Sequence, residues 1–445
     1  MGIESFFEWL NGINNKEFYL RDEHTNSEFK IQLSKEDNGL CFELEYPNFK
    51  LLYDNNSKFS LNDGCCEIRI NNYIEAYTSL LTKRKCRSYI FESVSFNSEI
   101  DFYHKYYSKI DGDLFYFFFL QGNRDKVSIK IGEEIYGLSI YLNPYSKERY
   151  LVIECSNKLT FRQFKHVANN IIVGIGFISG YYYRLEEHYF QSSDITFQSI
   201  DFFCRFSNQK STIFEPISSY PKNYIGVEIN DELLNKYSGQ LSIDNFTDLI
   251  NFLLSRTEIY SAIINLFKIY KGYPLFTLSM LFVILETICV QINKECASEY
   301  QDMILVKQKG LEIIKKIQSQ ISIRDYDDLS EVIDQVDSKL IENLINFERA
   351  CQALGVKLSN EERKVLKKRN ELFHGRIIPV IENVNSEEDH QKIELDYAFY
   401  SDRIYVIIAK LLLKKINFTG FILNHPKIRE RETNRYLNES YFIKI

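Results

Sequence analysis

The chain has 445 residues, of which 45% are hydrophobic and 26% charged, and its formal net charge is −7. That length exceeds one ordinary hydrophobic core and implies two domains, while the composition excludes a largely disordered chain. The acidic balance argues against a broad, sequence-independent grip on nucleic acid, though it leaves room for a local basic patch.

The first ten residues, MGIESFFEWL, lack the basic start and unbroken apolar core of a signal peptide. Phe6 stands where myristoylation requires Ser or Thr. The nine cysteines include no C-x-x-C pair. Adjacent Cys65 and Cys66 suit neither a metal site nor a disulfide framework, so reduced thiols in a cytoplasmic protein are expected.

Short segments rich in β-branched and aromatic residues dominate the first half. Strands are expected at Cys41–Tyr46, Ser88–Phe96, Lys126–Ile131, Gly137–Leu142 and Tyr150–Cys155. The apolar run Leu114–Leu120 reads as a fully buried strand. Turn signals separate these segments at Asn62-Asp63-Gly64, Asp111-Gly112-Asp113, Gly122-Asn123 and Asn143-Pro144. An antiparallel sandwich or barrel fits that spacing. A helix is expected over Phe161–Gly180, and shorter strand-like pieces continue to about Ile229. The Gly174–Gly180 run inside that helix fails both nucleotide-binding fingerprints. Glu186-Glu187-His188 is isolated and reads as a surface strand or turn.

Near residue 235 the texture changes to a helical period, so the expected division is 1–235, β-rich, and 236–445, all α. Asp244–Tyr270 reads as one long amphipathic helix and Pro274–Asn293 as a second, with Pro274 suited to a first turn. Tyr273–Ile292 also has the length of a membrane span. Glu286 inside it would cost roughly 2.5–3.5 kcal/mol at a bilayer centre, which favours a buried helix of a globular domain. Further helices are expected over Asp302–Gln320, Asp327–Leu354 and Lys392–Ile416. The fold class expected is therefore α+β.

The stretch KKRNELFHGR, residues 367–376, ends another helix. Ser359 and Glu362 form a capping box, Glu361 and Glu362 sit at the positive end of the dipole, and Gly375 followed by Pro379 closes the helix. Leu366 and Phe373 share a face. Between them, where apolar residues belong, stand Arg369 and Asn370, with His374 four residues beyond Asn370. The spacing of Arg369 and His374 is a weak signal, and a histidine in a last turn can simply complement the dipole. The position carries more weight: a cation, an amide and an imidazole brought towards a bundle seam are better explained by a site than by packing.

At these residues the sequence resembles the HEPN superfamily, whose signature is Arg, a polar residue, a short gap and then His on a late helix of an all-α bundle. The whole arrangement is similar to ApeA-like HEPN proteins, which join a β-rich N-terminal region to a C-terminal HEPN bundle and act in bacterial anti-phage defence. The resemblance implies a metal-independent endoribonuclease with Arg369, Asn370 and His374 as catalytic residues. It needs no cofactor, takes RNA (tRNA among the candidates) as substrate, and forms a homodimer that joins two motifs in one cleft. Glu286 matches the acidic residue that such bundles carry on an earlier helix. An ionised carboxylate there would want a partner such as Arg369; the alternatives are an exposed or neutral Glu286. Lys364, Lys367, Lys368 and Arg376 would supply a local positive field for RNA, or form an ordinary solvated face. The β-rich half would sense a phage-derived trigger or restrain the nuclease. Two other readings stay open: a non-catalytic dimeric HEPN scaffold, and a ligand-binding protein acting through its β domain.

Overall fold

A computed structural model describes residues 2–15, 17–22, 28–36, 39–45, 59–62, 67–70, 74–80, 83–88, 90–93, 99–110, 126–182, 186–207, 211–218, 236–237, 241–269, 274–296, 309, 312–313, 346–373 and 387–445. The fold is α+β and divides into two compact units. Unit 1 comprises Met1–Thr212 and Ser242–Ile250; unit 2 comprises Ile213–Leu241 and Asn251–Ile445.

Unit 1 opens with helix α1 (Ile3–Asn11), which presents Ile3, Phe6, Phe7 and Leu10 at helical spacing and buries them all. Strands β1 (Glu17–Asp22), β2 (Glu28–Glu36), β3 (Gly39–Glu45), β4 (Phe59–Asn62), β5 (Glu67–Ile70), β6 (Ile74–Leu80), β7 (Lys83–Ser88) and β8 (Ile90–Ser93) follow. Next come β9 (Tyr103–Ile110), β10 (Lys126–Ile131), β11 (Glu134–Leu142) and β12 (Arg149–Cys155). Helix α2 (Phe161–Ser179) precedes β13 (Tyr181–Tyr182), β14 (Glu186–Ser192), β15 (Phe202–Ser207) and β16 (Ser211–Thr212).

Fourteen of these strands form one antiparallel sheet in the order β10-β11-β12-β9-β14-β15-β8-β5-β4-β1-β2-β3-β7-β6. β13 and β16 pair separately. One apolar cluster joins α1 to Phe18, Leu20, Ile31, Leu33 and Phe42 of β1–β3, and also to Tyr107, Tyr150, Phe190 and Phe203 of the β9–β15 region. Strands so far apart in the order share that cluster only if the sheet curves around α1.

The sheet's other face carries α2. His104 of β9 stacks on Phe164 of α2 at 4.8 Å, and Tyr189 of β14 donates to Asn169 of α2 at 3.3 Å. Thr160 and Gln163 form a capping box at the start of α2, and Gly180 ends it with a φ of 75°. Gly174 lets α2 approach the next helix: a Cβ there would stand 2.5 Å from Ile250 Cδ1. The glycine run is thus a packing surface inside a helix. β14 is covered on both faces, so Glu186, Glu187 and His188 are fully buried. The expected strand is present, but its surface location is corrected: a central strand between α1 and α2 has no solvent face.

Helix α3 (Ile243–Ser255) contributes its first turns to unit 1 and the rest to unit 2. Unit 2 continues with α4 (Thr257–Ile269), α5 (Pro274–Cys296), α6 (Phe347–Ala353), α7 (Asn360–Phe373) and α8 (Glu387–Lys415). A hairpin of β17 (Phe421–Leu423) and β18 (Phe442–Lys444) flanks the short helix α9 (His425–Ile428). α5 packs against α4, α6, α7 and α8, and its Leu278, Phe282, Leu285, Ile288 and Ile292 are fully buried.

Asp244–Tyr270 is two helices instead of one. Ser255 Oγ donates back to the Phe252 carbonyl, and the Arg256 carbonyl accepts from Ile259 and Tyr260 to start α4. Of the expected helix Asp327–Leu354, residues 327–345 lie outside the described residues; α6 is capped by Asn346, which is extended and whose side chain accepts from Arg349 N at 3.0 Å. Leu114–Leu120 and nearly all of Asp302–Gln320 lie outside the described residues. Among the described residues one helical span, Leu275–Glu295, is long and apolar enough to cross a membrane, and half of it is buried within the protein. Cys41, Cys155, Cys204, Cys289 and Cys351 are buried free thiols.

Candidate functional site

The helix carrying Arg369 begins where its sequence says it should. Ser359 Oγ accepts from Glu362 N at 3.1 Å, and Glu362 Oε2 accepts from Ser359 N at 2.7 Å. Two of the N-terminal donors, Ser359 N and Glu362 N, are thereby satisfied. The other oxygen of Glu362 accepts from Lys410 Nζ of α8 at 2.6 Å, and both side chains are buried. This anchored turn sets the rotation of α7, with Val365, Leu366 and Leu372 in the core.

That rotation places Arg369 on the inner side of α7, half-buried, where its Nε pairs with Glu286 of α5. A guanidinium and a carboxylate at such a seam satisfy one another, which lets α5 carry a charge among its apolar residues. Arg369 also donates through Nη1 to Asn370 Oδ1 at 3.0 Å. Asn370 itself is exposed, while Arg369 is half-buried at the seam. His374, Gly375 and Arg376 lie outside the described residues, as does the side chain of Phe373.

Three of the other basic residues, Lys364, Lys367 and Lys368, lie on α7 at neighbouring helical positions. Lys364 is exposed and pairs with Glu361 one turn earlier at 2.7 Å. Lys367 is exposed and Lys368 half-buried. Exposed pairs of the Lys364 kind add little to stability.

Sequence reasoning did not identify Lys410. Its signal was weak: one lysine within the apolar run IIAKLLL. It also passed over Arg403, which is 1% exposed and bonds both oxygens of Glu439, at 2.8 and 2.6 Å. Among the described residues no group of three or more His, Cys, Asp or Glu side chains could hold a metal ion.

No family model, curated protein or solved structure matches this chain.

Proposed function

We propose that unit 2 is a HEPN-type bundle and that the protein is a metal-independent endoribonuclease, with tRNA among its candidate substrates. In this reading it acts as an effector of anti-phage defence, and the β-rich unit is a sandwich- or barrel-like sensor for a phage-derived trigger. The observation that carries the reading is the Glu286–Arg369–Asn370 chain of contacts across α5 and α7. It anchors the motif's arginine from behind and leaves the amide beside it at the surface.

The chemistry follows from these groups. A ribose 2′-OH attacks the adjacent phosphorus, and negative charge grows on the non-bridging oxygens. Arg369, always charged, meets that charge with its guanidinium. His374 supplies an imidazole for one of the two proton transfers, at the attacking or the leaving oxygen. Asn370 orients the phosphate. One histidine cannot be acid and base at once, so a second copy supplies the other. An apolar stripe on α5 supports such a dimer. Phe276 and Val283 are exposed at 56% and 41%, and Met280, Thr287 and Val290 continue the line at helical spacing.

A second reading draws on the same ion pair. Glu286 and Arg369 could be only a brace between two helices of a scaffold. Cleavage of a tRNA pool, with EDTA present, by wild type, Arg369→Ala and His374→Ala separates the two. The nuclease reading expects loss of cleavage in both variants and none from EDTA. Equal cleavage by the wild type and His374→Ala would remove the histidine from the mechanism, and loss in EDTA would remove metal independence.

A further inference from the structure

A cavity of about 230 Å³ lies inside unit 2, between α4, α5 and α8. Its walls are mostly apolar, with Leu266 and Leu281 on one side and the rings of Phe214 and Tyr405 on another. Its polar lining is Thr277, Arg429, Ser401 and Asp402, the last two being 7% and 1% exposed. Asp402 Oδ1 accepts from Arg429 Nη1 at 2.8 Å. Asp402 Oδ2 and Ser401 Oγ are buried and have no hydrogen-bond partner among the described residues.

Folded proteins leave few buried polar atoms unsatisfied, because each costs about 1–3 kcal/mol. Cavities that stay empty are apolar, and one water occupies only about 30 Å³ of liquid. Two unsatisfied oxygens beside a mainly apolar space this large therefore ask for a partner that is itself mostly apolar. The walls are fixed in advance. Phe214 stacks on His425 at 4.4 Å, His425 bonds the Glu215 carbonyl at 2.7 Å, and Tyr405 donates to the Phe214 carbonyl. Arg429 covers the Phe214 ring at 5.1 Å. Such preorganisation is what a ligand pocket has and an accidental void lacks.

We infer that this cavity binds a small, neutral, planar heterocycle of one or two rings whose edge carries an N–H donor beside a ring-nitrogen acceptor. The rings fill the space bounded by Leu266, Leu281, Phe214 and Tyr405, and the N–H meets Asp402 Oδ2 or Ser401 Oγ. Neutrality follows from the Arg429 partner, which already balances Asp402. Burial pushes the Asp402 carboxyl up to about 7 against the pull of Arg429; a donor–acceptor edge fits that group in either protonation state. The site is independent of the proposed nuclease reading. Leu281 and Glu286 are five residues apart on α5, about 140° around the helix at 3.6 residues per turn.

The test is calorimetric titration of the full-length protein with 2-aminopyridine and 2-aminobenzimidazole, with benzene as the apolar control. Saturable one-to-one binding of at least one amine is expected, weakened at least tenfold in Asp402→Asn or Ser401→Ala. Ala398→Leu, which fills the cavity from α8, should abolish it without lowering the melting temperature. Three results would each overturn the inference: no saturable binding of either amine, benzene binding as tightly as the amines, or unchanged binding in the folded Ala398→Leu variant.

Discussion

Glu362 serves two partners, and the two can be separated. Its backbone-directed oxygen completes the α7 capping box, and its other oxygen meets the buried ammonium of Lys410. Glu362→Gln keeps an oxygen for Ser359 N but leaves Lys410 a buried, uncompensated charge, a loss of about 3–5 kcal/mol. Ser359→Ala removes only one cap bond and costs about 1 kcal/mol. Urea unfolding should rank the variants in that order; equal losses would mean that the cap alone matters. The same distinction applies at the candidate site. The Glu286–Arg369 pair is partly solvated, so a double-mutant cycle with Ala at both positions should give a coupling of about 1 kcal/mol or less. Cleavage, in contrast, should fall about a hundredfold in Glu286→Ala, because an unanchored guanidinium is misplaced by an ångström or more. The capping box was legible in the sequence because it is local, three residues apart. The Lys410 partner was not, since it depends on α8 arriving at one depth and rotation, which no local pattern encodes.

Helices with long apolar periods were legible as elements, and α5 shows both the strength and the limit of that signal. Its apolar residues occupy nearly the whole circumference, so the pattern alone fits a buried helix or a membrane span. Only packing against α4, α6, α7 and α8 distinguishes the inward side. What remains outward is the line through Phe276 and Val283, close to Glu286. If this line is the dimer face, Val283→Asp should turn a dimer into a monomer in sedimentation velocity and abolish cleavage together. As Val283 is exposed, the monomer's melting transition should change by no more than about 0.5 kcal/mol. A variant that stays dimeric and active would exclude the stripe as the interface. Other elements were hidden for identifiable reasons. The break at Arg256 preserves the apolar rhythm on both sides, so periodicity runs straight through it. α1 is short, nine residues, and the β17–β18 hairpin spends three residues on each strand. Neither is long enough to establish a period.

Two buried groups, one in each unit, change protonation on folding in opposite directions. In unit 1, His104 stacks on Phe164 and bonds the Leu159 carbonyl at 2.7 Å. Burial lowers its pKa to about 4, despite that bond and the Asp101 charge, which both raise it. Between pH 6.5 and 4 the unfolded chain takes up a proton that the folded unit refuses. Stability is then lost on acidification, by at most about 1.4 kcal/mol per pH unit. In unit 2, burial raises Asp402 to about 7 while Arg429 and Arg403 pull it down and Glu432 pushes it up. Between pH 4 and 7 the folded unit keeps a proton that the unfolded chain releases, so this group's contribution is lost as pH rises. The sequence supplies a selective probe, because its single tryptophan is Trp9, buried against Phe6 and Phe18 in unit 1. In urea titrations between pH 7 and 5, the fluorescence midpoint should fall with pH, and His104→Gln should flatten that slope. The far-ultraviolet signal, weighted towards the helices of unit 2, should fall less or rise, and Asp402→Asn should remove the difference. Coincident midpoints at every pH would show that the two units unfold as one and that neither group governs its own unit.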